Sequence, residues 1–212
     1  MIISEIRGGL GNQMFQYAFG RALSLDLGQP FNLAVPIYKR NVIKFELENI
    51  FHLETGHASD ADINAVLGWQ SNKFIKELLS LKIFSFFKKK SLVIEPHFHY
   101  WSELNRSCAD YYLLGYWQSD KYFNNYANKI RSEFNFNCKI SNVNQRIADD
   151  ILKFDAVSLH IRRGDYISNK NAFSTHGLCS LDYYYNAINL IVSSLENPKI
   201  YVFSDDIPWV KV

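Results

Sequence analysis

An α/β fold is predicted from three stretches of the sequence. "MIISEI", "RGGLGN" and "QMFQYAFGRALSLDL" read as strand, glycine turn and helix from the first residue onward. "YYLLGYW" (111–117) is an apolar run of the kind buried in a sheet. Residues 156–204 read as strand, loop, helix and strand, a β-α-β unit whose two strands run parallel.

The first helix has Phe15, Ala18, Phe19, Ala22 and Leu23 at helical spacing, with Gly28 and Pro30 as its stop. Residues 31–110 are less patterned. Helices are expected near 60–66 and 72–87, the first begun by Ser59 or Asp60, with irregular connections around Pro36 and Pro96. After 111–117, Ser119 is placed to cap a helix whose face is Tyr122, Phe123, Tyr126, Ala127, Ile130 and Phe134. The polar stretch "NCKISNVN" (137–144) reads as a linker, giving domains 1–138 and 139–212. Beyond it Ser141 caps a helix with Val143, Ile147 and Ile151 on one face, and "AVSLHIR" (156–162) is a strand. A helix begun by Ser180 and Asp182 is expected to bury Leu181, Tyr184, Ile188, Ile191 and Leu195 before strand "KIYVFS" (199–204). Two parallel strands cannot cover both faces of a sheet, so the second domain is expected to be incomplete in this chain.

With 212 residues, 48% of them hydrophobic and 21% charged, the chain is globular, and a net charge of +2 argues against bulk attraction to nucleic acid. Cys108, Cys138 and Cys179 show no paired spacing and read as free thiols of a reducing compartment. The N-terminus lacks the pattern of a secretory signal, which points to the cytoplasm. "FIKELLSLKIFSFFKKK" (74–90) is interrupted by Lys76, Glu77 and Lys82 and is a poor membrane span. Its aromatics and Lys88, Lys89 and Lys90 suit either a peripheral contact with an anionic membrane face or a core helix with a solvated basic end.

The chemistry concentrates in "SLHIRRGDYI" (158–167). Strand alternation puts Ser158, His160 and Arg162 on one face and Val157, Leu159 and Ile161 on the other, while Arg163 and Asp165 leave in the turn at Gly164. Two adjacent guanidiniums suit a pyrophosphate, which they bind bidentately, or ion pairs to Asp205 and Asp206. Those two aspartates point apart on a strand, which favours bonds to a ligand or to Arg162 over a metal. They also suit capping of a helix entered by Pro208. His52, His57, His97 and His99 form no metal pattern, and no metal is expected. In "GGLGNQM" (8–14), Gly9 and Gly11 match the start of G-x-G-x-x-G, but Met14 fills its third position. The turn then either fits a dinucleotide, approaches a ligand with Asn12 and Gln13 as donors, or only reverses the chain.

"IRGGLGNQMFQYAFGRALS", "LLGYWQSDKYF", "HIRRGDY" and "YVFSDDIPWVK" occur in the order found in the α-1,2-fucosyltransferases of glycosyltransferase family 11, and the chain resembles that family almost end to end. The resemblance implies a GT-B arrangement, two Rossmann-type domains facing a cleft, with residues 1–138 on the acceptor side and 139–212 as the first part of the donor-binding domain. It implies inverting, metal-independent transfer of L-fucose from GDP-fucose to the 2-hydroxyl of a galactose-containing glycan. No cofactor is needed beyond the donor, and a bacterial surface polysaccharide is the expected setting. Arg162 and Arg163 are implied at the donor diphosphate, supported by His160 and Asp165, with Gly9, Gly11, Asn12 and Gln13 lining the cleft, and Asp205 and Asp206 join the donor-binding candidates from their place at the strand end. Asp165 and then His160 are the candidates for the acceptor's general base, and Arg162 for charge stabilisation. Family members continue past "FSDDIPWVK", so the chain reads as shortened at its C-terminus. Two other readings stay open: a dinucleotide-dependent oxidoreductase or epimerase, and a non-catalytic module that binds glycan or nucleotide.

Overall fold

The first apolar run becomes strand β1 (Ile2–Glu5), buried along its whole length in the computed structural model, as befits a strand with both faces covered. The structure describes residues 1–35, 45–53, 55–79, 81, 84, 87–104, 107–137 and 140–211, without the side chains of Lys73, Asp165, Ala172, Thr175 and His176. Pro36, Lys82 and Cys138 therefore lie outside the described residues. The chain divides into two units, Met1–Lys139 and Ile140–Val212. Both are α/β with parallel strands, the predicted class.

In the first unit, helix α1 (Leu10–Leu27) begins three residues earlier than its apolar spacing predicts, so Gly11, Asn12 and Gln13 belong to its first turn. The reversal is finished sooner because Gly8 turns the chain at φ +72° and Gly9 is the extended N-cap. Gly28 ends the helix in the left-handed conformation. Then follow β2 (Phe31–Ala34), α2 (Leu47–Ile50), β3 (Gly56–His57) and α3 (Asp60–Leu67). Ser59 and Asp62 cap α3 reciprocally, each accepting the other's backbone N–H at 3.1 and 2.8 Å. Helix α4 (Lys73–Leu79) is shorter than the expected 72–87, for Leu81 already lies in a bend. Strands β4 (Leu92–Ile94) and β5 (Tyr111–Leu114) flank a connection without regular structure at Pro96.

The single helix expected after Ser119 is broken. Tight turns at Asp120–Tyr122 and Asn124–Tyr126 precede α5 (Ala127–Glu133). Phe123 is the reason: its φ of −135° is not helical, and its ring packs on Phe15 with centroids 6.0 Å apart.

The strand order is β3-β2-β1-β5-β4, every pair parallel. Alternation along β1 sends Ile2 into one core with Tyr17, Phe19, Leu33 and Leu113, and Ile3 into the other with Leu67, Leu92, Tyr112 and Leu114. Gly20 lets α1 lie close on the sheet. A Cβ there would collide with the Phe31 ring and stand 3.1 Å from the Ser4 Cβ. Gly20→Ala is therefore expected to destabilise the protein by about 1–2 kcal/mol despite its better helix propensity, read as a lower urea midpoint.

The second unit comprises α6 (Asn142–Ile151), β6 (Asp155–Ile161), α7 (Gly164–Ser168), α8 (Lys170–His176), α9 (Leu181–Val192), β7 (Pro198–Ser204) and α10 (Ile207–Val210). Ser141 and Ser180 cap α6 and α9. Asn142, Val143 and Asn144, assigned to the linker by composition, are helical. β6 and β7 pair in parallel from Asp155↔Pro198 to Ile161↔Ser204. The face expected to be buried on α9 is mostly not: Tyr184 is buried, while Leu181 and Ile191 are exposed, as are Val143 and Ile147 of α6. Two strands about 5 Å apart offer too narrow a strip to cover such faces.

Candidate functional site

In the second unit, the pairing of Ile161 with Ser204 makes the residues after β6 and β7 emerge side by side. The Arg163 N–H donates to Asp205 Oδ1 (2.8 Å), and its guanidinium Nε donates to Asp206 Oδ2 (3.3 Å). That guanidinium also lies over the Trp209 ring, 4.0 Å from its centre. Asp206 Oδ1 accepts the Trp209 N–H at 3.3 Å and so caps α10, which Pro208 enters. Asp206 thus turns to Arg163 and to the helix start rather than to Arg162. A Cβ on Gly164 would stand 3.2 Å from Asp205 Oδ2, so that carboxylate would have to give way by a few tenths of an ångström.

Arg162 is exposed, with its guanidinium 4.8 Å over the Tyr166 ring. His160 is exposed too, while Ile161 is buried and Val157 and Leu159 partly so, which is the predicted alternation. Asp165 occupies the first turn of α7; its side chain lies outside the described structure. The strand ends therefore bring Arg162, Arg163, Asp205 and Asp206 together.

In the first unit the strand order reverses at β1: β2 and β3 lie on one side, β5 and β4 on the other. Open α/β sheets take ligands at the carboxyl ends of the strands, where the order reverses. The glycine turn leaves β1 at that point, and residues 115–118 leave β5 beside it. Gly8 carries the turn's need for glycine, since a Cβ there would strike the Asn12 amide; Gly9 and Gly11 face open space. Gln13 does not reach outward as a donor. It is buried, donates to the Gly8 carbonyl (2.9 Å) and accepts the Glu46 N–H (3.0 Å). Asn12, half-buried, accepts from Gln118 Nε2 at 2.6 Å.

Buried Gln16 joins the two exits. It accepts the Arg7 N–H (2.8 Å) and donates to the Gly115 carbonyl (3.0 Å). At the end of β1, buried Glu5 pairs with Arg7 (2.6 Å) and accepts the Tyr112 hydroxyl (2.7 Å), with the Lys76 ammonium 3.6 Å away. Burial pushes the Glu5 pKa up, but Arg7, Tyr112 and Lys76 together pull it down, and the net shift is downward.

Glu95 is a rim residue that sequence reasoning missed. Its two oxygens accept the N–H groups of Tyr116 (2.6 Å) and Trp117 (3.0 Å). Burial raises its pKa, and those two bonds and His97 only partly offset this. The carboxylate braces an unusual turn, for Trp117 is held at φ 57° with its buried indole N–H lacking a partner among the described residues. A cavity of about 400 Å³ follows, lined by Pro96, His97, Tyr100, Trp101, Ser102 and Glu103. The signal was "IEPHFHY", a carboxylate and aromatics at a strand end, read there for its histidines and for an irregular connection at Pro96. His97 Nδ1 instead meets the His99 carbonyl at 3.1 Å. Among the described residues no three His, Cys, Asp or Glu side chains converge on a metal position.

The family model of glycosyl transferase family 11 matches residues 1–212. An alpha-1,2-colitosyltransferase of Escherichia coli is 32% identical over 225 residues, covering 100% of this chain and 71% of its own length. The O-antigen biosynthesis glycosyltransferase WbnK of Escherichia coli is 29% identical, covering 98% of this chain and 74% of its own. Among solved structures, the alpha-1,6-fucosyltransferase NodZ soaked with GDP-fucose covers 96% of this chain and 70% of its own, at 11% identity and a TM-score of 0.44. NodZ from Bradyrhizobium gives the same TM-score, 0.44, at 12% identity.

Proposed function

The chain belongs to glycosyl transferase family 11, and we propose that it moves L-fucose from GDP-fucose to the 2-hydroxyl of a galactose-containing acceptor, with inversion and without a metal ion. The single observation that carries this reading is the pair Arg162 and Arg163 at the paired ends of β6 and β7. Breaking the fucose–phosphate bond builds cationic character on the sugar and negative charge on departing GDP. Guanidiniums fixed in advance beside that charge lower the barrier by electrostatic preorganisation. In this reading Arg163, held by Asp206 and Trp209, keeps its orientation between turnovers, and exposed Arg162 meets the diphosphate. The acceptor hydroxyl attacks the opposite face of the sugar carbon and gives its proton to Asp165 or His160.

The first unit is then the acceptor side. Gly9, Gly11 and Asn12 line its rim, and Tyr100 and Trp101 offer rings beside the polar Ser102 and Glu103 for a sugar to stack on. A glycan of a bacterial surface polysaccharide fits this role, supported by the O-antigen biosynthesis role in the name of the WbnK relative.

The colitosyltransferase relative favours a second reading of the donor. Colitose is fucose lacking its 3-hydroxyl, so the two donors differ at one polar group. A site built to bond that hydroxyl discriminates by about 10⁴-fold or more against the deoxy sugar, whereas a site without such a partner accepts both. Turnover with GDP-fucose and GDP-colitose, without divalent metal, tests both readings. Product formed from GDP-fucose on a terminal galactoside, with a new 1,2-linkage by NMR, is the expected result. Transfer from GDP-colitose alone would replace the fucose reading, and transfer from neither would remove both.

A further inference from the structure

Helix α4 has apolar side chains on two sides. Ile75 and Leu79 point into the core, whereas Phe74 and Leu78, one turn apart, point outward, and Leu81, in the bend beyond the helix, is exposed as well. Phe74 is 77% exposed. Gln70 ties the following segment to the short turn Gly68–Ser71, donating to the Phe87 carbonyl (3.0 Å) and accepting the Lys89 N–H (3.2 Å). Trp69, 55% exposed, and Phe87, 67% exposed, belong to the two segments that Gln70 joins. Lys88, Lys89 and Lys90 follow directly, and the Lys89 ammonium rests against Gly68. Glu77 falls on the same side of α4 as Phe74 and Leu78 and is outnumbered by these three ammoniums.

Five large apolar side chains left in water beside a basic run call for a cover that is itself apolar and anionic. We infer that Trp69, Phe74, Leu78, Leu81 and Phe87, with Lys88–Lys90, form a docking surface for an anionic lipid bilayer. The rings and leucines enter the headgroup boundary, and the ammoniums meet lipid phosphates. No helix among the described residues is long and apolar enough to cross a membrane, so the contact is one of lying on the surface. Burial lowers the Lys88 pKa, so the exposed Lys89 and Lys90 offer the better solvated charges to the headgroups. The inference is independent of which sugar is transferred.

The test is co-sedimentation with phosphatidylcholine vesicles, with and without phosphatidylglycerol. Wild-type protein is expected in the pellet only with phosphatidylglycerol, and to leave it as salt rises. Lys89→Gln/Lys90→Gln should weaken partitioning about tenfold or more, and Phe74→Glu/Leu78→Glu should abolish it. Unchanged melting temperatures separate these effects from misfolding, and the lysine pair alters no core side chain. Wild-type protein staying in solution with both vesicles, pelleting equally with both, or binding undiminished in the variants would overturn the inference. So would a dimer that Phe74→Glu turns to monomer without any vesicle binding, since a second copy would then be the occupant.

Discussion

Arg162→Ala should lower transfer turnover by about 10²–10³-fold with little change in melting temperature, the usual loss when one preorganised donor to developing charge is removed. The side chain is exposed and stacks on Tyr166, so the fold loses little when it is truncated. Arg163→Ala should differ in kind. Its guanidinium holds Asp206 and covers Trp209, so the variant should lose turnover and also loosen the start of α10. Steady-state kinetics paired with thermal melts separates the two. Equal turnover of Arg162→Ala and wild type would remove Arg162 from the chemistry.

Glu5→Ala should be the most damaging change to stability, by about 3–5 kcal/mol, because it leaves the cations of Arg7 and Lys76 beside a buried site without their carboxylate. That corresponds to a fall in melting temperature of roughly 10 °C. The pH dependence has a definite sign. The carboxylate's pKa is lowered in the fold from its ordinary 4.5, so its contribution is present above that value. It is lost as pH falls through the lowered folded-state value. Denaturant melts across the acid range should show this loss in wild type and not in Glu5→Ala. Glu95 has the opposite sign, since a raised pKa favours the protonated fold, and it works against Glu5 on the acid side.

What could be read from the sequence followed the range of each interaction. Ser59, Ser141 and Ser180 were legible as caps because each bonds a backbone N–H three residues on. Arg162, Arg163, Asp205 and Asp206 were legible as neighbours because a β-α-β unit brings its strand ends together. Gln16, whose partners are Arg7 and Gly115, was not legible, since nothing local says that residue 115 returns to it. Glu95 was hidden in the same way, its partners lying at 116 and 117. The α9 face failed for another reason: periodicity shows which residues align, whereas their burial depends on how wide a sheet they meet.

Gln16 does more than satisfy two loops. Because one amide grips the exits of both β1 and β5, the glycine turn and the Tyr116–Gln118 segment behave as a yoke rather than as two flaps. Load on one exit is passed to the other through that amide. The rim of the proposed acceptor side is therefore one braced piece, and substitutions far apart in sequence, at Asn12 and at Gln118, act as neighbours on it.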